Sequence, residues 1–214
     1  MTHPNPLRPA STPARALLVA GAVAGPLFLV TGVAGGLARD GFDFTRNALS
    51  QLSLGTYGWV QITAFVLTGL LAVAGAVGVR RALRGAPGGT WAPPVIAVFG
   101  VSFLVAAVFR ADPGRGFPAG TPDLAPAALS AHGTVHMAAA GTGFLALCVA
   151  FLVLARHFAA RGHRGWAIGC RVVPVGVVAG FAGSAAAPLA FTLGAALGLV
   201  WLTAVIARLR ATTD

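Results

Sequence analysis

Charge is scarce in this sequence: 9% of its 214 residues are Asp, Glu, Lys or Arg, and lysine is absent altogether. Soluble domains carry roughly 25% charged residues. A deficit of this size, in a chain that is 57% hydrophobic with a mean hydropathy of +0.82, excludes an ordinary soluble domain. It indicates a polytopic membrane protein. Acids are scarcer than bases, five against fifteen, for a net charge of +10. Such a charge raises nucleic acid as a partner, but the arginines lie scattered between apolar runs and form no basic face, so nucleic acid is set aside. Only two cysteines occur, Cys148 and Cys170. They make no metal-binding spacing and fall on the cytoplasmic side of the topology below, so they read as small apolar filler without a disulfide. No phosphate-binding glycine loop is present, which argues against ATP-driven activity.

What is there is a set of six apolar runs, near residues 16–37, 59–79, 94–109, 135–155, 167–183 and 189–207. Runs of about 20 such residues cross a bilayer. The third is short, with Trp91 to anchor its start. The last two form one nearly continuous apolar stretch, which GSAAAP at 183–188 divides as a hairpin turn, because proline does not continue a helix. The first run exceeds the 7–15 residues of a signal-peptide core and reads as a retained span. Eleven arginines (Arg8, Arg15, Arg80, Arg81, Arg84, Arg156, Arg161, Arg164, Arg171, Arg208, Arg210) fall on one side of these spans and four (Arg39, Arg46, Arg110, Arg115) on the other. The positive-inside rule then puts both termini in the cytoplasm. Trp59, Trp91, Trp166 and Trp201 sit near span ends, where indole favours the interface. The chain therefore reads as all-α, a six-transmembrane-helix bundle forming a single membrane domain over 1–214, in a bacterial plasma membrane with its long loops outside.

Those outer loops gather the polar residues. Asp40, Asp43, Asp112 and Asp123 all lie there, and only Asp214 is cytoplasmic. Each outer arginine has an acid nearby in sequence, in ARDGFDFTR (38–46) and RADPGR (110–115), which reads either as local ion pairs or as an organised polar site. The first loop continues as NALSQLS, where the spacing of Asn47 with Ser50 and Leu49 with Leu52 suits a short amphipathic helix at the interface. The second loop is proline-rich (Pro113, Pro118, Pro122, Pro126) and has no regular structure until Ser130, a candidate N-cap for the fourth span. His132 and His136 follow in the first and second turns of that span. His3, His157 and His163 read as solvated.

The RNALSQLS segment and the FRADPGRGFPAGTP…LSAHGTVH passage resemble the bacterial membrane family catalogued as domain of unknown function 998. The likeness covers most of the chain, and the six-span layout agrees with it. The final hairpin departs from the family pattern in carrying no arginine. The resemblance implies a membrane location and no particular mechanism.

His132 and His136 stand four residues apart and so share a helix face. That is the spacing by which two imidazoles hold one zinc ion, with Asp112 as a third ligand. Ser50 or Asn47 would contact a bound water or substrate carbonyl, and Asp43 or Asp123 would serve as general base. In residue types this set is similar to the ceramidase and adiponectin-receptor-like membrane hydrolases. The plainer reading is a hydrogen bond from His136 to Asp112 or Asn47 that only positions backbone. Haem does not suit the pair, since ligands on one face cannot flank a haem. Arg39, Arg46, Arg110 and Arg115, with Asn47 and Ser50, are candidates for holding a lipid phosphate. Three functions follow: lipid-headgroup binding or an assembly role in an outward-facing polar pocket; a zinc-dependent hydrolase of a lipid amide or ester; and a small-solute transporter, for which Pro26 and Pro174 would mark helix breaks. Glycines at helical spacing (Gly21, Gly25 and Gly32; Gly69, Gly75 and Gly78) offer close-packing faces, either within the chain or for self-association.

Overall fold

Helices account for nearly all the regular structure of the chain, and their ends follow local sequence signals. The computed structural model describes residues 12–184 and 186–212; His3, Arg8 and Asp214 lie outside the described residues. Six helices are present: α1 (Thr12–Ala38), α2 (Gly58–Ala82), α3 (Ala92–Val108), α4 (Ala131–Ala160), α5 (Arg164–Gly183) and α6 (Pro188–Ala211), with no strand among the described residues. Five are long and apolar enough to cross a membrane, and α3, at 17 residues, is the shorter sixth. At 1.5 Å per residue α3 spans roughly 26 Å, just under the hydrocarbon thickness of about 30 Å. Its N-cap is Trp91, and prolines occupy its first turn, where the missing N–H costs nothing. Ser130 caps α4 as expected, its hydroxyl accepting from the Gly133 N–H at 3.0 Å. The α5–α6 turn falls at the expected place, between Gly183 and Pro188. Arginines close α2 and α6, where they complement the carbonyl ends of the helices.

Each helix packs against its neighbours in sequence, and α6 closes on α1, so the six form a ring. Glycine sets the closest approaches. A Cβ built on Gly75 would come 2.6 Å from the Gly21 Cα, one on Gly69 would come 2.7 Å from the Gly100 carbonyl, and one on Gly180 would come 2.8 Å from the Gly194 Cα. These faces are used inside the chain, between α1 and α2, α2 and α3, and α5 and α6.

Neither Pro26 nor Pro174 breaks its helix; both lie inside continuous α1 and α5. Proline at position 26 cannot donate to the carbonyl four residues earlier, that of Ala22. The Thr203 hydroxyl of α6 donates to it instead, at 3.0 Å. Ser and Thr hydroxyls re-satisfy proline-freed carbonyls in this way in membrane helices. Thr203→Val is expected to cost about 0.5–1.5 kcal/mol of stability. In a Pro26→Ala background the cost should shrink, because the restored N–H reclaims the carbonyl. Equal costs in both backgrounds, by equilibrium unfolding in detergent, would refute the assignment.

Two expectations fail at the arginine-rich end. His157 is not solvated: it is 3% exposed, with Nδ1 bonded to the Pro87 carbonyl at 3.1 Å, because the α2–α3 turn folds over the last turns of α4. Half-buried His163 lies 3.4 Å from the Arg208 guanidinium. Trp166 and Trp201 pack on each other, ring centroids 5.3 Å apart, whereas Trp59 and Trp91 are exposed. Cys148 and Cys170 are both buried and unpaired.

Candidate functional site

The ring carries its two long connections at one end, and they interlock. Residues 49–53 form a 3-10 turn rather than a surface helix; Leu49 and Leu52 point inward, against Gly32 and Gly35 of α1. Asn47 and Gln51, four residues apart, tie this loop to the next. The Asn47 carboxamide oxygen accepts from the Asp43 N–H at 2.9 Å, and its nitrogen reaches the carbonyls of Gly114 and Arg115, each at 3.4 Å. Gln51 donates to the Asp112 and Gly114 carbonyls at 3.2 and 3.3 Å. Asn47 is only 1% exposed, so its role is that of a latch.

The proline-rich loop is irregular but fixed. Gly114 and Phe117 exchange backbone hydrogen bonds, and the Arg115 and Gly116 N–H groups donate to Leu124 and Pro122. The buried Phe117 ring meets Phe42 edge-on at 5.2 Å. Arg39 lies over the same ring and donates to the Leu52 and Leu54 carbonyls at 3.2 and 2.7 Å. Its guanidinium is therefore engaged in holding loop backbone. Arg46 pairs with Asp123, so the ion pair runs between the two loops rather than between neighbours in sequence. Arg115 makes no hydrogen bond or ion pair through its side chain among the described residues, and Arg110 is exposed.

Asp112 organises the entry to α4. Its carboxylate accepts from the Ser130 N–H at 2.8 Å and the Ser130 hydroxyl at 2.5 Å. It fills the space that a Cβ on Gly133 would take. Asp43, a candidate base, is held by the Thr45 hydroxyl at 2.6 Å and the Thr45 N–H at 2.7 Å. These bonds, the hydroxyl's first, with the nearby Arg46 charge adding, keep its carboxyl below the usual carboxylate range. A carboxyl so disposed is a weak proton acceptor.

The two histidines part company. His132 is exposed, its ring 5.3 Å from that of Phe109. His136 is buried, and its Nδ1 lies 2.8 Å from the Phe109 carbonyl, so neither Asp112 nor Asn47 is its partner. A carbonyl only accepts, so Nδ1 carries the proton, and in the neutral ring Nε2 is an acceptor. The Phe65 ring meets His136 edge-on at 5.9 Å. No three His, Cys, Asp or Glu side chains are gathered to hold a metal among the described residues, so the zinc set of His132, His136 and Asp112 draws no support from their placement.

Beneath the interlocked loops lies a cavity of about 590 Å³. Arg46, Ser50, Gln51, Asp112 and Arg115 line its polar rim. Its depth is apolar, with Phe28, Phe65, Phe103, Phe144 and Phe191 from five different helices. It reaches Leu199, eleven residues along α6 from Pro188 and so roughly 16 Å in. Phe28, Phe65 and Phe103 pack mutually, with centroids 5.0 to 5.6 Å apart.

Residues 8–208 match the profile of the family described as "Protein of unknown function (DUF998)". The chain belongs to that family. No curated protein and no solved structure matches it. In this DUF998 protein the sequence-level candidates divide cleanly. Arg46, Ser50, Asp112, Arg115 and His136 meet at the cavity, whereas Arg39 and Asn47 hold the loops and Arg110 and His132 face outward. Gln51 was not singled out by its sequence context, although its spacing from Asn47 is the signal that would have found it. The phenylalanines gave no signal, because an aromatic in an apolar span reads equally as core, cavity wall or lipid contact.

Proposed function

We propose that this multi-pass membrane protein binds a single membrane lipid, its anionic headgroup at the arginine-bearing rim and its tail in the apolar depth. The observation that carries the reading is the joining of those two chemistries in one cavity. Its volume lies within the range of about 300–1,000 Å³ typical of single-ligand sites. A tail drawn from the bilayer is already out of water, so its entry into the cavity is close to neutral and the headgroup contacts set the selectivity. Arg46 is already neutralised by Asp123, so Arg115 is the cation available to a phosphate. The arginine asymmetry of the sequence supports a plasma-membrane orientation with this end outside. Catalysis is no part of the proposal: Asp112, the carboxylate at the rim, is engaged in capping α4, and Asp43 and Asp123, away from the cavity lining, are held in a turn and an ion pair.

Native mass spectrometry of the protein purified in mild detergent tests it. Arg115→Ala should carry several-fold less anionic lipid than the unmodified protein. Ala140→Trp, which fills the cavity from α4, should carry almost none. Arg110→Ala, away from the cavity, should carry the normal amount. Undiminished lipid in Ala140→Trp would overturn the reading.

A further inference from the structure

Helices α4 and α5 leave the arginine-rich end together, joined by the turn at residues 161–163, yet α4 runs for 30 residues and α5 for 20. Contacts along the pair fix their register. The Cys148 thiol lies 3.9 Å from the Pro174 carbonyl oxygen, and the Phe144 ring meets that of Phe181 at 5.3 Å. About ten residues at the start of α4, a length of roughly 15 Å, therefore stand beyond the end of α5. Helix α6 begins at the same recessed level, since Phe191 meets both Phe144 and Phe181. Against α1 there is no such step: Ala22 and Gly25 lie against Thr203 and Leu199, so α1 ends within about one turn of the level where α6 begins. Beyond the α5–α6 turn, neither α5 nor α6 continues the wall beside α4.

The cavity reaches this gap. Ser184 and Pro188, at the turn, line its lower edge, and Met137 and Ala140, on the projecting part of α4, line one side. Arg46 apart, the exposed residues of the lining are Ala125, Pro126, Leu129 and Met137, all apolar. An apolar frame of this kind is better matched to lipid than to water. Its depth agrees. The Phe109 carbonyl, just past the end of α3, meets His136, so the α5–α6 turn lies roughly one helical turn below that end. Because α3 nearly spans the hydrocarbon layer, the turn then falls within the leaflet beside the long connections.

From this geometry we infer that the cavity opens sideways into that leaflet, over the α5–α6 turn, and takes an anionic two-chain phospholipid directly from it. One chain enters the depth past Phe144 and Phe191, the second stays in the bilayer, and the phosphate remains at the level of Arg115. A side opening requires only one chain to fit, so the volume of about 590 Å³ places no limit on the other. The inference rests on the lipid-binding proposal and adds the ligand's source and route.

The test uses the full chain, whose own cysteines are buried, in vesicles of phosphatidylcholine and phosphatidylglycerol. Nitroxides are attached at Met137→Cys and Ser184→Cys, with Ala119→Cys on the exposed proline-rich loop and Val149→Cys on the exposed face of α4 as references. Oxygen concentrates in hydrocarbon and a nickel chelate stays in water. The ratio of oxygen to nickel relaxation at Met137 and Ser184 should match that at Val149 and exceed that at Ala119 several-fold. In the same vesicles, phosphatidylglycerol with a diazirine at the end of one chain should crosslink to Phe144, Phe191 or Leu199 of the unmodified protein. Nickel-dominated relaxation at Met137 and Ser184 with those crosslinks intact overturns the side opening and leaves the lipid site standing. Crosslinks confined to outward-facing positions such as Val149 overturn both.

Discussion

Gly133→Ala is expected to destabilise the protein by about 2–4 kcal/mol, the reverse of the usual effect of alanine in a helix. In an unobstructed helical position the same change gains up to about 1 kcal/mol. Here the new methyl falls on the Asp112 carboxylate, which lies against the first turn of α4. Either the carboxylate withdraws or the helix shifts. Withdrawal removes two hydrogen bonds to Ser130, 2.8 and 2.5 Å long, and loosens the cap that Ser130 makes to Gly133. A lost cap costs about 0.5–2 kcal/mol and local overpacking about 1–3. Thermal unfolding in detergent should show the loss directly. Because the clash needs both partners, Asp112→Ala combined with Gly133→Ala should cost less than the sum of the single changes. Strict additivity would show that the carboxylate is not the obstacle. The same displacement disturbs the cavity rim, so lipid retention should fall with stability.

This dependence explains why the sequence disclosed the site only in part. The helices were legible because each is encoded locally: apolar runs of sufficient length, Ser130 before α4, prolines at the start of α3, and the turn between Gly183 and Pro188. The six expected spans fall inside the six observed helices, except that the third was carried on to Phe109, the residue just past the end of α3. The loop architecture is encoded at a distance. Asp112 gave no sign that its partner would be Ser130, since that contact depends on how the proline-rich loop doubles back on itself, and Arg46 gave none that it would pair with Asp123, since that one depends on how two loops meet after the helices have closed into a ring. His136 illustrates both limits. Its helical position was readable from the sequence, but its partner is a backbone carbonyl, a group every residue carries and no sequence marks.

The same logic separates residues that shape the site from residues that support it. Arg39, Asn47 and Gln51 spend their polar groups on backbone carbonyls, holding two irregular loops as a lid that secondary structure alone would not supply. Loop backbone left without such partners next to a membrane is costly, which explains polar side chains buried beside carbonyl-rich loops. With the loops fixed, Arg115 and the cavity wall face one space. The function proposed above belongs to those groups, and the chain's scarce polarity is divided between the two tasks.

Gly75→Ala is the second change with a large expected effect, and it acts on the ring itself. A methyl at this position comes 2.6 Å from the Gly21 Cα, a backbone atom that cannot rotate away, and α1 with α2 is the most extensive helix pair in the fold. The two helices must separate, which also withdraws α1 from α6, where Gly25 lies against the Leu199 carbonyl. The expected cost is about 2–3 kcal/mol, at the upper end for overpacking because no side-chain adjustment relieves it. Gly141→Ala in α4 is the matched comparison, since nothing lies within 4 Å of the added methyl. It should be neutral or stabilising by up to about 1 kcal/mol. Gly21→Ala should resemble Gly75→Ala. The double substitution should cost clearly less than their sum, because one separation of the helices accommodates both methyls. If Gly75→Ala proved as harmless as Gly141→Ala in a detergent melt, α1 and α2 would not approach as closely as the ring requires.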